Sequence, residues 1–327
     1  MKKIEPDFDW IKTEKSLLPR GRWFVEYFTK GELHAHKAEA ILETSETYFQ
    51  KATLIRTPTF GEMLIIDHET QSSRYDEAFY HESLVCPALL ALRSPTTALI
   101  LGGGEGATAR EVLNDAGIEK VIMADIDHSI LGFAAKYLQA WHKGAFRDPR
   151  LTLLVQDAKK YVERTKLKFD LIYSDLPSPI EKGPAYQLYT LEFYRSLKRI
   201  MTPGAIFTAQ AGPGTPLQFE LHAALRRTLG KIFRFVGSYT AFIPSYDMPW
   251  TWLYCTDSTA AAPQNLKADK LDKAILSRLK RPLKYSDGLT ITGAFILPKY
   301  YRDKIKAWKR VVTAHKPVFF TTSRYSL

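Results

Sequence analysis

Residues 98–127 constrain this chain more than any other stretch. They read Ala98-Leu-Ile-Leu-Gly102-Gly-Gly-Glu105-Gly-Ala-Thr108-Ala-Arg110-Glu-Val-Leu113 and then, after a short loop, Val121-Ile-Met-Ala-Asp125-Ile-Asp127. An apolar strand, a glycine cluster, a helix and a second strand ending on an acid twenty residues beyond Glu105 make the layout of a nucleoside-binding βαβ unit. Glycine lets backbone approach a ligand closely, and the acid can accept hydrogen bonds from ribose hydroxyls. The GxGxxG dinucleotide fingerprint lacks its third glycine, since Thr108 follows Ala107, and Glu105 inside the loop would repel a pyrophosphate. A cationic adenosine ligand such as a sulfonium suits the loop better. A βαβ turn of purely structural purpose is the alternative.

From Thr97 onward, apolar strands alternate with amphipathic helices, the strands falling at 98–101, 121–124, 151–155, 169–174, 205–209, about 232–239 and 251–256. That pattern predicts a doubly wound, Rossmann-like α/β sheet with a β tail. In such sheets ligands bind at the carboxyl ends of the strands, and four of these ends carry an acid: Glu105, Asp125, Asp157 and Asp175. One such acid is as often a helix cap as a ligand. Four in register describe a pocket with a negative wall, suited to a positively charged nucleoside.

The first 93 residues follow a different rhythm. Tyr48–Arg56 and Glu62–Asp67 are short β-type runs around the turn Thr57-Pro-Thr-Phe-Gly61, and Asp76–Leu92 reads as a helix stopped by Ser94-Pro95. The expected organisation is an N-terminal β-hairpin domain with its lead-in helix over 1–93, a catalytic domain over 94–262 and a basic extension over 263–327. The net charge of +11 belongs entirely to that extension, which holds fifteen Lys or Arg against four Asp or Glu. Polyanion binding is one reading of it; a solvated helical face, with Ile305, Trp308 and Val312 at helical spacing, is the favoured one. The start Met1-Lys-Lys-Ile-Glu-Pro-Asp has no apolar core of a secretory signal, and Cys86 and Cys255 lie in apolar surroundings, so a cytoplasmic protein with reduced cysteines is expected. The His34-x-His36 pair is read as a strand edge, and no metal is expected.

The motifs together resemble the polyamine aminopropyltransferases, the spermidine/spermine/thermospermine synthase family. The loop Gly102-Gly-Gly-Glu105-Gly resembles the family's decarboxylated S-adenosylmethionine loop, Gln71-Ser-Ser-Arg-Tyr-Asp76-Glu-Ala-Phe-Tyr80-His81-Glu its Gln/Tyr segment, and Asp175-Leu-Pro-Ser178 with Gly183-Pro184-Ala-Tyr-Gln-Leu-Tyr its catalytic aspartate loop. Gln210-Ala-Gly-Pro and Pro244-Ser-Tyr246 complete the set, with wording similar to thermospermine synthases and related prokaryotic members. The resemblance implies a class I methyltransferase-type Rossmann-like domain, decarboxylated S-adenosylmethionine as co-substrate, an amine acceptor, and a homodimer or homotetramer joined largely through the N-terminal module. It implies Asp175 as base with Tyr80 positioning the amine. Gln50, His81, Gly102, Gly104, Glu105, Asp125, Asp157, Ala158 and Pro184 would line the co-substrate site, and Gln71, Tyr80, Ser178, Gln210 and Tyr246 the acceptor site. Within that scheme Asp125 holds the ribose, Asp157 and Ala158 read the adenine edge, and Glu105 meets the aminopropyl ammonium, where it would repel the carboxylate of ordinary S-adenosylmethionine.

Two positions depart from the family pattern. Ser178 stands where an acid is usual three residues after the catalytic aspartate, and Arg74 replaces an acid in the Gln71 segment. A cation beside an alkylammonium costs about 1 kcal/mol or more at separations of a few ångström. Either Arg74 pairs with Asp76, Asp247 or Glu181 within a shifted acceptor subsite, or the acceptor is not a plain polyamine. An S-adenosylmethionine-dependent N-methyltransferase on the same fold, and a non-enzymatic nucleoside-binding remnant that recruits nucleic acid, are the competing readings. Residue identity leaves the acceptor's length open, because tunnel depth depends on packing.

Overall fold

The computed structural model describes residues 20–29, 32–181 and 183–320. The chain divides into two compact units, one formed by residues up to Asp76 together with Ser245–Asp247, the other by Glu77–Pro244 and Met248–Phe320.

The N-terminal unit holds more strand than its sequence suggests. Strands β1 (Arg22–Thr29) and β2 (Glu32–Ala38) pair antiparallel, and β3 (Ala40–Glu46), β4 (Lys51–Thr57), β5 (Gly61–Ile66) and β6 (Glu69–Ser73) form a meander in that order. The β5–β6 turn is two residues long, and Asp67 and His68 both take positive φ, 48° and 69°, as a turn that follows the strand twist requires. Phe24, Ala38, Ile55, Met63 and Ile65 close its small core.

The second unit is built on strands β7 (Thr97–Gly102), β8 (Lys120–Asp125), β9 (Leu151–Val155), β10 (Phe169–Asp175), β11 (Met201–Pro213), β12 (Phe235–Ile243) and β13 (Met248–Thr256). Their order in the sheet is β12-β13-β11-β10-β7-β8-β9, with β7 to β11 parallel and β13 antiparallel to both its neighbours. The chain winds outward from β7 through β8 to β9, then returns to lay β10 on the other side of β7. The switch point therefore lies between β7 and β10, where open α/β sheets bind their ligands. Gly102 and Asp175 are partners in register there.

Helix α1 (Glu77–Ala91) corrects the expected boundary near residue 93, because it belongs to the second unit. It is buried along most of its length and carries Pro87 in its interior. A proline there leaves the carbonyl four residues earlier without its usual donor. The Tyr239 hydroxyl supplies one, donating to the Ser83 carbonyl at 3.0 Å, while Thr208 and Tyr173 donate to the next two carbonyls, those of Leu84 and Val85. The sheet thus holds α1 in register and fixes the residues of its first turns.

The described part of the basic C-terminal segment, up to Phe320, belongs to the same unit. Arg278 donates to Asp115 at 2.9 Å, and the backbone N–H groups of Lys284, Tyr285 and Ser286 converge on the Glu82 carboxylate at 2.7–2.9 Å. Of the three residues read at helical spacing, Ile305 lies in a helix that runs from Lys299 to Ala307, while Trp308 and Val312 lie beyond its end. Among the described residues no helix is long and apolar enough to cross a membrane.

Candidate active site

Around the switch point the second unit gathers the residues on which the sequence argument rests. Gly102 and Gly103 take positive φ, 77° and 75°, as the chain leaves β7. A Cβ on Gly102 would lie 2.4 Å from the Asp175 carbonyl oxygen, and one on Gly104 2.8 Å from Ile130, so neither place tolerates a side chain. The turn is clamped to β10 by the Gly103 N–H, which donates to the Asp175 carbonyl at 2.9 Å.

At the end of β10 the Asp175 carboxylate is held by two hydroxyls. Tyr80, in the first turn of α1, donates to Oδ1 at 3.0 Å, and Thr108, in α2 (Ala107–Val112), donates to Oδ2 at 2.6 Å. The Asp175-Leu176-Pro177 segment is fixed from behind. The Tyr189 hydroxyl donates to the Pro177 carbonyl at 2.9 Å, while the Gln210 amide donates to the Leu176 carbonyl at 2.7 Å and to the Tyr189 oxygen at 3.0 Å. The Gln210 side-chain oxygen in turn accepts the Gly212 N–H at 3.0 Å. Gln210 was expected among acceptor-binding residues; its hydrogen bonds hold the aspartate loop. Ser178 is buried in that loop, and Pro184 opens the 3-10 turn Pro184–Tyr189.

Glu105 meets His81. The His81 Nδ1 lies 2.6 Å from the Glu77 main-chain carbonyl, so it carries a proton, and Nε2 abuts the Glu105 carboxylate. A deprotonated Nε2 facing a carboxylate would set lone pair against lone pair, so the pair holds a shared proton and is neutral overall. Burial opposes a charged imidazole, but Glu105 and Glu77 raise His81 well above its ordinary range. Glu77 is anchored by Arg110 at 2.6 Å, which also pairs with Glu111 at 2.6 Å. These partners bring the Glu77 carboxyl down to about 2 although its burial acts the other way. Repulsion of a carboxylate by Glu105 is therefore conditional on the His81 proton.

The remaining strand-end acids divide in role. Asp125 Oδ1 accepts the Asp127 N–H at 2.9 Å, and burial above all raises its carboxyl to about 6 against the bonds from Asp127 and Gly104. Capping of helix α3 (His128–Tyr137) falls to Asp127 instead, whose Oδ1 accepts the Ser129 and Ile130 N–H groups. Asp125 thus stays beside the glycine loop, within 3.0 Å of where a Gly104 Cβ would be. Asp157 caps the helix that Ala158 begins, accepting the Lys159 N–H at 2.8 Å.

Three expected residues lie in the N-terminal unit. Gln50 closes the turn between β3 and β4, and the Tyr246 hydroxyl donates to the Gln71 carbonyl. Arg74 pairs with Glu62 at 2.8 Å and its side chain is 60% exposed. Asp76, one of its expected partners, is instead saturated by Ser73 and Ser245, whose donors lie 2.6–3.0 Å away. Thr108 is the residue that reading the sequence missed; a hydroxyl in the first turn after a glycine loop signals little until its partner, 67 residues on, is known.

Comparison with known proteins decides what kind of site this is. The spermine/spermidine synthase domain model matches residues 77–268, and the spermidine synthase tetramerisation domain model matches residues 22–73. The chain belongs to the spermine/spermidine synthase family. Its synthase relatives include the polyamine aminopropyltransferase of Sulfolobus acidocaldarius, 41% identical over 90% of this chain and 97% of that one, and that of Aeropyrum pernix, 37% identical over 94% and 98%. A spermidine synthase structure in complex with the transition state analogue AdoDATO superposes with a TM-score of 0.82 at 25% identity, covering 90% of this chain and 99% of that one. Spermidine synthase from Thermotoga maritima, at a TM-score of 0.79 and 24% identity over 90% and 98%, supports the fold. Among the described residues no group of His, Cys, Asp or Glu is arranged to hold a metal ion.

Proposed function

We propose that this chain transfers an aminopropyl group from decarboxylated S-adenosylmethionine to an amine acceptor and releases 5′-methylthioadenosine. The acceptor nitrogen attacks the methylene beside the sulfonium, the carbon–sulfur bond breaks, and the amine proton passes to Asp175. An attacking amine must be neutral although its solution pKa is near that of lysine, about 10. A carboxylate held at the switch point by two hydroxyl donors is the observation that carries this reading, since it offers a fixed acceptor for that proton beside the co-substrate loop. In this scheme Asp125 holds the ribose and Asp157 with Ala158 the adenine. Glu105 takes the aminopropyl ammonium through the oxygen that His81 leaves free.

The acceptor is a diamine or polyamine. Arg74 had argued for something else, but its charge is matched by Glu62 on β5. The match to a tetramerisation domain over 22–73 supports a homo-oligomer. The two cysteines, both free and buried, fit a cytoplasmic enzyme. The test is methylthioadenosine release from decarboxylated S-adenosylmethionine across putrescine, cadaverine, agmatine, norspermidine, spermidine and spermine, with S-adenosylmethionine as a parallel donor. Turnover with the decarboxylated donor, reduced about 10²- to 10⁴-fold in Asp175→Asn, is the expected result. Methyl transfer from S-adenosylmethionine would replace it with the methyltransferase reading.

A further inference from the structure

Thr108 has no side-chain surface exposed to solvent. Valine would fill the same volume without the cost of burying a hydroxyl, so the hydroxyl needs a reason. Its bond to Asp175 Oδ2, at 2.6 Å, supplies one. Tyr80 occupies Oδ1 at 3.0 Å. Each carboxylate oxygen has two lone pairs, so one on each remains for an incoming N–H. Two donors arriving from two helices, one on each oxygen, leave the carboxylate little freedom to rotate about its Cβ–Cγ bond. With Tyr80 alone it could pivot around Oδ1.

We infer that Thr108 is a positioning residue for aminopropyl transfer, setting the plane of the Asp175 carboxylate so that its remaining lone pairs meet the acceptor amine. This rests on Asp175 being the group that receives the amine proton. The same loop also grips the main chain of Asp175, through the Gly103 N–H at 2.9 Å. Base and co-substrate loop are therefore one mechanical unit, tied by one backbone and one side-chain bond. Thr108 touches the base, so its loss should appear in turnover far more than in co-substrate affinity.

Steady-state kinetics of the full-length enzyme, with decarboxylated S-adenosylmethionine and whichever polyamine it uses, test this in Thr108→Val, Thr108→Ser, Thr108→Ala and Asp175→Asn. Loss of one hydrogen bond to a charged group predicts that Thr108→Val lowers kcat about ten- to hundredfold while KM for the co-substrate moves by less than about threefold. Serine, which keeps the hydroxyl, should recover most of the loss. If valine lowers the melting temperature so far that its kinetics reflect unfolding, serine against alanine decides, because those two differ by the hydroxyl alone. Equal kcat in that pair, or a Thr108→Val enzyme as fast as wild type beside an inactive Asp175→Asn, overturns the role of Thr108 and leaves Asp175 as base. An active Asp175→Asn overturns the assignment of the base itself.

Discussion

In the second unit the buried Glu77 is paired with a cation, whereas in the N-terminal unit no cation among the described residues pairs with Glu26 or Glu69. Glu77 has Arg110 and His81, and its carboxyl is brought down to about 2. Glu26 and Glu69, largely covered between β1 and β6, have the Thr70 N–H on Glu26 and each other's charge. Burial raises Glu26 to about 7, and burial with the charges of Glu26 and Asp67 raises Glu69 to about 8. At Glu77 the second unit keeps an acid ionised with a fixed counter-charge, whereas burial raises Asp125 there to about 6. In the N-terminal unit Glu26 and Glu69 keep protons near neutrality. The same residue type therefore responds to pH in opposite senses at Glu77 and at Glu69.

The largest effect is expected from breaking the donor set. Arg110 is 2% exposed and serves Glu77, Glu111 and the Trp141 carbonyl together. Arg110→Met leaves buried carboxylates without their cation, a situation that costs about 3–5 kcal/mol. Thermal unfolding at pH 7 should drop by about 10 °C, and Arg110→Met/Glu77→Gln should regain part of it. A single substitution that leaves the melting temperature unchanged would show that the second unit does not depend on matched charge.

How much of this contrast could be read from the sequence differs by unit. The parallel strands announced themselves because strands buried on both faces read as unbroken apolar runs: 98–101 was expected where β7 spans Thr97–Gly102, and 121–124 where β8 spans Lys120–Asp125. The acids at their ends were legible for the same reason. Strand β11 begins four residues early because Pro203-Gly204 looks like a turn, and Gly204 does take φ 82°. In the N-terminal unit, β2 (Glu-Leu-His-Ala-His-Lys-Ala) and β6 (Glu-Thr-Gln-Ser-Ser) carry few strand formers, and they exist by pairing rather than by propensity. Within the site, residue types were legible and partners were not. The Gln210 amide is used by Leu176 and Tyr189, Arg74 by Glu62, and Thr108 by Asp175, and each partnership joins residues that only the fold brings together.

A second, intermediate effect sharpens the role of the shared proton. In His81→Gln, Glu105 loses its cationic partner, and burial, the main influence on its carboxyl, raises it further from the ordinary range. The empty site then takes up a proton that the aminopropyl ammonium must displace. KM for decarboxylated S-adenosylmethionine should therefore be severalfold higher at pH 6 than at pH 8.5 in the variant, by about 1 kcal/mol, with a flatter profile in wild type. A variant whose KM profile parallels wild type would mean that His81 does not set the charge of Glu105.

The smallest effect lies in the N-terminal unit and has the opposite sign. Glu69 has an ordinary carboxyl value of 4.5 and a folded value of about 8. Across that window the folded chain holds a proton the unfolded chain has released, so stability falls as pH rises through it and is unaffected below it. Glu69→Gln cannot lose that proton. It should match wild type at pH 4 and exceed it at pH 8.5 by about 1–2 kcal/mol, a shift of a few degrees in melting temperature for a chain this long. Because the tetramerisation match falls on this unit, the same variant should hold its oligomer to higher pH in sedimentation velocity. A gain of equal size at both pH values would come from amide hydrogen bonding instead of proton uptake. In that case Glu69 and Glu77 would not differ in the sense of their response to pH.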